Sequence, residues 1–135
     1  MAKVQVGGAG GAPSNNFIRS LRDSKRSDYI IGTSCIPSDL FLADVDEKYF
    51  VPPAMAAEYP KKILALLAQT RPDFLHLQHD FEVRAISRLR KEVEYLGVKL
   101  FLPTSQTIEN CVDKEKSYKT WCSAGIRVPK TMLLR

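Results

Sequence analysis

The stretch Lys3 to Leu21, KVQVGGAGGAPSNNFIRSL, constrains this chain more than any other: a short apolar run, a glycine-rich turn, then a helical pattern. Val4 and Val6 alternate as in a β-strand, whereas Phe17, Ile18 and Leu21 recur at helical spacing, so the period changes across Gly7 to Ser14. Gly7, Gly8, Gly10 and Gly11 permit close backbone approach. Pro13 suits a first helical turn, and Ser14, with Asn15 beside it, is placed to cap the amides that follow. A helix N-terminus with free N–H groups favours an anion, a phosphate or a carboxylate. Read as G-x-G-x-x-G from Gly8 and Gly10, however, the third glycine is replaced by Pro13, and no Lys-Ser/Thr pair makes a P-loop. A second reading therefore stands beside the first: the glycines serve only to pack helix against strand, and the turn is empty.

The 135 residues, 44% of them hydrophobic, suffice for one compact domain without staples or metals. Cys35, Cys111 and Cys122 lack metal-ligand spacing. On one continuous helix Cys111 and Cys122 would lie about three turns apart, too far for a disulfide, so free thiols in a reducing compartment are expected. No run is long and apolar enough for a membrane span, and no signal-peptide layout opens the chain, which predicts a cytoplasmic protein without a membrane partner. The net charge of +5 includes Arg84, Arg88, Arg90 and Lys91. These interleave with Ile86, Leu89 and Val93 as the solvated face of an amphipathic helix and lack interleaved aromatics, so no nucleic-acid partner is predicted.

Tyr29 to Thr33 reads as a second strand, ending at Ser34 and Cys35; Cys35 is expected to be a small buried residue. The acidic residue that would hold a nicotinamide ribose is missing there until Asp39, which disfavours a dinucleotide enzyme. Ile36 to Asp46 reads as a mostly irregular connection, and Tyr49 to Val51 as a short extended segment ended by Pro52 and Pro53. A helix from Glu58, with Ile63, Leu64 and Leu67 inward, stops at Arg71-Pro72. Phe74 to Gln78 is a third strand. Asp80 then reads as the N-cap of a helix from Phe81 to Tyr95, with Phe81, Ile86, Leu89, Val93 and Leu96 apolar and Gly97 closing it. His76 and His79 would face opposite ways on a continuing strand, so a metal site on them is not expected. Gln78, His79 and Asp80 remain ligand-facing candidates because open α/β sheets bind at strand C-termini. Val98 to Leu102 is a fourth strand. A helix capped by Thr104 or Ser105 then runs to Gly125, with Ile108, Cys111, Val112, Tyr118 and Cys122 inward and Trp121 packed beside it. Strands alternating with helices predict an α/β, Rossmann-like three-layer fold with a parallel sheet of about four strands. Residues 1–126 read as the domain, and 127–135 as the start of a linker or strand that begins a new element.

Taken together, VGGAGGAPSNNFIRSL, IIGTS with LADVDEKYFVP, FLHLQHDFEV, LGVKLFLPTSQTIENCVDKEKSYKTW and AGIRVPKT resemble the pre-ATP-grasp domain, the N-terminal domain of ATP-grasp enzymes, closest to the carbamoyl-phosphate-synthase-like branch. The resemblance covers nearly the whole chain. It rests most on Asp113-Lys114 within a helix followed by the Gly-Ile-x-Val-Pro-x-Thr exit at Gly125 to Thr131, which looks like the join to an ATP-grasp core.

The resemblance implies an ATP-dependent ligase that forms an acyl phosphate with ATP and Mg²⁺ and lets an amine, ammonia or another nucleophile displace the phosphate. It implies a small carboxylate substrate, an ATP-grasp core in cis as partner, Lys114 near the nucleotide, and the Gly-rich loop and strand ends beside the acceptor. A homo-oligomer is compatible with it. Ser34 stands where a carboxylate is often found in the family, and the core that carries the Mg²⁺ ligands is missing after Arg135, so this chain alone is expected to be inactive and to bind no cofactor. Two other readings remain: a free-standing Rossmann-like nucleotide- or anion-binding module, and a NAD-dependent epimerase-like domain, which Pro13 and Ser34 disfavour.

Overall fold

The first strand is central. In the computed structural model, which describes residues 1–132, β1 (Lys3–Gly7) pairs in parallel with β2 (Tyr29–Ser34) on one side and with β4 (Phe74–His76) on the other. β3 (Glu47–Phe50) and β5 (Lys99–Leu100) take the two edges, giving a five-stranded parallel sheet in the order β3-β2-β1-β4-β5. The fold is α/β and Rossmann-like, with helices on both sides of the sheet. The strand beyond the four expected from sequence is β3, the segment around Tyr49 that reads from sequence as merely extended; it begins at Glu47, whose carboxylate accepts hydrogen bonds from the hydroxyls of Tyr29 and Tyr49, each at 2.7 Å. Those two bonds, that of Tyr29 foremost, hold the Glu47 carboxyl below its ordinary range.

Strand pleating divides the interior into two cores. Val4, Val6 and Ile30 face α1 (Ala12–Asp23), which contributes Ile18, and the segment after α2 (Pro37–Leu42), which contributes Ala43. Leu75 and Leu77 face α3 (Tyr59–Thr70), α4 (Asp80–Arg88) and α5 (Arg90–Tyr95), where Tyr59, Ile63, Leu67, Ile86 and Val93 are buried. Three aspartates set the other end of the sheet. Asp28, Asp46 and Asp73 each stand just before a strand and accept the backbone N–H of Ala2, Ile30 and Lys3, at 2.8, 2.7 and 2.7 Å. Each carboxylate thus fastens the start of one strand to its neighbour, a charge-assisted bond of the stronger kind. For Asp28 the Ala2 amide is the main cause that holds its carboxyl below the usual range.

The structure corrects several expectations. The connection after β2 is helical as α2 rather than mostly irregular. The single helix expected over Phe81 to Tyr95 is two, α4 and α5, interrupted at Leu89 (φ −96°, ψ 12°). His79, not Asp80, is the N-cap, and Asp80 is the first helical residue. Glu82 and Ile86, four residues apart, face the core, which turns Phe81 outward to 44% exposure. Cys35 is exposed, not buried, because β2 ends at Ser34 and the chain leaves the sheet there.

Met1–Leu102 forms one compact unit and the chain from Pro103 another. In the second, the helix expected from Thr104 to Gly125 is also two, α6 (Ser105–Val112) and α7 (Lys114–Ser123). Thr104 caps α6 through the Thr107 N–H, as expected. Asp113 breaks the run: its backbone is extended, and its carboxylate accepts from the amides of Glu115 and Lys116, making it the N-cap of α7. The break resets the helical phase. Ile108 stays buried, but Cys111 and Cys122 are exposed and Trp121 is half-exposed instead of packed inward. All three cysteines are free. Of the linker or strand expected over 127–135, residues 127–132 form neither helix nor strand, and the rest lies outside the described residues.

One close approach governs the turn after β1. A Cβ on Gly10 would lie 2.0 Å from the carbonyl oxygen of Asp39 in α2, and Gly10 has φ +97°. Gly97 also has positive φ (+81°) but open space around it. Gly10→Ala is therefore expected to cost more than about 3 kcal/mol, because strain adds to a backbone clash, and Gly97→Ala only about 1–2 kcal/mol. Urea unfolding of the two variants measures the difference, and equal costs would mean that α2 yields freely.

Candidate functional site

The sheet order reverses between β1 and β4, so the loops leaving their C-terminal ends diverge and open a crevice. The crevice holds a cavity of about 440 Å³, within the usual range for small-molecule sites of ~300–1,000 Å³. Gly8, Gly11, Pro13 and Ser14 form one wall; Ser34, Cys35 and Ile36, with Asp39 of α2, form the second. Pro52 to Met55 close the side beyond β3, and Gln78, His79, Phe81 and Glu82 form the side beyond β4.

The Gly-rich loop spends much of its hydrogen-bonding capacity on itself. The Ala9 N–H donates to the Thr33 carbonyl (2.9 Å) and the Gly11 N–H to the Gly8 carbonyl (3.0 Å). The Asn15 side chain clasps Gly10 from both sides, accepting from its N–H at 3.2 Å and donating to its carbonyl at 3.0 Å. Ser14 is buried, and its hydroxyl donates back to the Gly7 carbonyl at 2.8 Å instead of capping the helix; the N-cap is Gly11. The amides of Ala9, Gly10 and Gly11 are thus already engaged. Gly7 and Gly10 act by close packing: a Cβ on Gly7 would meet Glu82 Oε2 and Leu77 at 2.7 Å.

Of the residues nominated from sequence, Gly8, Gly11, Ser14, Ser34, Gln78 and His79 line the cavity. Gly7, Gly10 and Asn15 build the loop behind it, and Asp80 is exposed outside the lining. Lys114 is exposed at the first position of α7, in the second unit. His76 is not directed at a metal: it stacks on Phe17 with ring centroids 3.6 Å apart, its Nε2 lies 2.9 Å from the Gln78 amide, and burial lowers its pKa.

The residue that sequence reading missed is Glu82. It is 7% exposed, and its Oε2 has no hydrogen-bond partner among the described residues. Its Oε1 is 3.5 Å from the hydroxyl of Tyr59, itself fully buried, at the limit of a hydrogen bond. Burial raises the Glu82 carboxyl to about 7 against a slight lowering by the Tyr59 hydroxyl, and burial beside this carboxyl also raises Tyr59. In sequence Glu82 looks like an ordinary first-turn carboxylate favoured by the helix dipole. Only its spacing of four from Ile86 hinted that it shares the inward face.

The titration of Glu82 has a definite sign. Its ordinary value is 4.5 and its folded value about 7, so between these the folded chain keeps a proton that the unfolded chain has lost. The stability contributed by the neutral acid is complete below the unfolded value and disappears as pH rises through about 7. The full difference is about 3 kcal/mol. Glu82→Gln, which carries no charge at either pH, is expected to flatten this dependence. Between about pH 5 and pH 8 the wild-type melting temperature should fall by roughly 10 °C more than that of the variant. Parallel curves would show that Glu82 titrates normally.

No family model and no curated protein matches this sequence. Solved structures do. The chain is similar to the biotin carboxylase subunit of pyruvate carboxylase, with a TM-score of 0.64 and 21% identity over 95% of this chain and 29% of that one. It is similar to glycinamide-RNase-transformylase T from Mycobacterium tuberculosis, with a TM-score of 0.65 and 16% identity over 90% of this chain and 32% of that one. A dTDP-glucose 4,6-dehydratase from Bacillus anthracis str. Ames in complex with NAD is also similar, with a TM-score of 0.54 and 15% identity, but over 74% of this chain and 36% of that one. At these identities the likeness establishes the fold. The chain spans about a third or less of the first two of these neighbours.

Proposed function

We propose that this chain is the N-terminal, substrate-side domain of an ATP-dependent ligase of the ATP-grasp class, in which a carboxylate is activated as an acyl phosphate and an amine, ammonia or similar nucleophile displaces the phosphate. The observation that carries the reading is a partly open cavity at the reversal of a β3-β2-β1-β4-β5 sheet, in a chain similar to the biotin carboxylase subunit of pyruvate carboxylase and to glycinamide-RNase-transformylase T over at least nine-tenths of its length. The carbamoyl-phosphate-synthase-like branch is part of the proposal and rests on the sequence resemblance alone.

The nucleotide belongs elsewhere in the parent enzyme. No lysine or arginine lines the cavity, three of the loop amides are taken, and the described residues contain no cluster of three His, Cys, Asp or Glu side chains that could hold a metal. These residues do not fit a Mg²⁺-bound triphosphate, whose charge asks for cations and free amides. ATP and Mg²⁺ would be held by a core in cis, with Lys114 the contribution from this chain. The role left to the domain is to bind and orient the acceptor at the strand ends and to screen it from water. The same shortage of free amides and cations weighs against a free-standing nucleotide or phosphate sensor. The likeness to the NAD-containing dehydratase stops at 74% of the chain, and Pro13 stands where the third fingerprint glycine would be.

The native protein, detected through the peptide Asn110 to Lys116, is expected to have a mass well above the 15.2 kDa of this chain. Purified, it should form ADP from ATP only when a carboxylate substrate is supplied. Lys114→Ala should raise its KM for ATP several-fold without moving its melting temperature. A native species of 15.2 kDa that turns over no ATP would overturn the reading.

A further inference from the structure

The two edges of the sheet differ in what they offer another strand. β5 is two residues long and Pro103 follows it closely, so it presents little backbone. β3 has four residues, and among the described residues no strand pairs with its outer side. The bonds of β2 fix which of its groups face outward. The Tyr29 N–H donates to Ala2 and the Thr33 carbonyl accepts from Ala9, so these residues turn toward β1, whereas the Ser34 carbonyl accepts from Val51 on the β3 side. Gly32 and Ser34 therefore bond toward β3. In a parallel ladder each reaches the two neighbours of its register partner, Lys48 for Gly32 and Phe50 for Ser34. Glu47, Tyr49 and Val51 are thus engaged, and the N–H and C=O groups of Lys48 and Phe50 point away from the sheet.

The same edge is apolar. Lys48 and Phe50 project on the α2 face, where the Lys48 Nζ donates to the Phe41 carbonyl at 3.2 Å. Phe50 is 61% exposed, and Phe41 and Leu42, the last two residues of α2, are 83% and 67% exposed. Together these side chains show on the order of 400 Å² of apolar surface, a size at which a patch on a soluble protein marks an interaction site. A lysine commonly guards an edge against pairing, but this one is bent back onto α2.

We infer that β3 is a dimer edge, at which a second copy of this chain pairs its own β3 antiparallel to the first across a two-fold axis and joins the two five-stranded sheets into one. Side-chain chemistry selects the register. With Lys48 opposite its own counterpart, like charges face each other, which destabilises a cross-strand pair. With Phe50 opposite its own counterpart, Lys48 falls opposite Pro52, which has no N–H to give. With Tyr49 on the axis, Lys48 of each copy lies opposite Phe50 of the other. Every outward N–H and C=O of both strands is then used, and each ammonium meets an aromatic ring, a cation–π arrangement that symmetry repeats. Phe41 and Leu42, on the same face, are placed to pack over the new pairing. The contact is smaller than the ~800 Å² per partner of a standard interface, so dissociation in the micromolar range is expected.

Sedimentation equilibrium of the 135-residue chain between about 1 μM and 1 mM is expected to show a monomer–dimer equilibrium. Lys48 and Phe50 are exposed, so variants at these positions should keep the wild-type melting temperature. Phe50→Lys, which sets lysine against lysine in this register, should weaken the dimer at least about tenfold. Adding Lys48→Phe to it returns a ring opposite each ammonium and should restore the wild-type affinity; loss followed by rescue is the pattern of the Tyr49-centred register. Phe101→Lys, at an aromatic residue outside β3 that is 89% exposed, should leave the dimer unchanged. A monomer throughout that range, a dimer unmoved by Phe50→Lys, a double variant that fails to recover, or a dimer weakened as much by Phe101→Lys would each overturn the inference. None of these outcomes touches the ligase reading, which falls only if the native protein fails to turn over ATP.

Discussion

The turn after β1 runs between α2 and α4 with no room for a side chain at Gly7 or Gly10, and the rest of the site depends on that squeeze. A Cβ at Gly10 would strike the α2 backbone at Asp39, and one at Gly7 would strike Glu82 and Leu77. Because both helices come that close, their N-terminal segments line the cavity at the strand ends. The same closeness buries Glu82. A carboxyl so placed has lost most of its water and gained one long contact, which is why its proton is held to about neutrality.

This gives the glycine-rich loop a different physical character from a phosphate cradle. A cradle presents unpaired amides to its ligand, whereas here Ala9, Gly10 and Gly11 give theirs to the Thr33 carbonyl, the Asn15 side chain and the Gly8 carbonyl. Asn15 and Ser14 lock the loop from behind. Three amides of the loop are thereby spent internally, and Glu82 and Asp39 stand on different sides of the cavity. Of the two readings that the loop sequence allowed, packing accounts for the geometry of Gly7 and Gly10.

At the opposite end of the sheet, Asp28, Asp46 and Asp73 perform one repeated task. Each accepts an N–H from the start of an adjacent strand and so pins the parallel register where no hairpin is available to do so. With the register pinned at one end, the strand C-termini are held in line at the other. The aspartates were visible in SDYII, VDEKY and PDFLH as residues preceding each strand, but their bonds run across strands between residues as many as 70 apart. Nothing local in the sequence assigns those partners.

What the sequence by itself determined is the alternation of strand and helix, and with it the α/β class and the handling of the Gly-rich turn, because period and turn chemistry are properties of neighbouring residues. It also determined where several helices stop: Arg71, Gly97 and Gly125 all take positive φ at the ends that their sequences mark. The tertiary structure alone decided what each face meets. Propensity could not see that Glu47 ties β3 to β2 by accepting from the Tyr29 hydroxyl, or that Asp113 interrupts a helix by capping the next one. Above all it could not see that Glu82, a polar residue in a first helical turn, is pressed beneath a loop 75 residues earlier in the chain. Burial is a sum over distant contacts, and the proton affinity of Glu82 follows from burial.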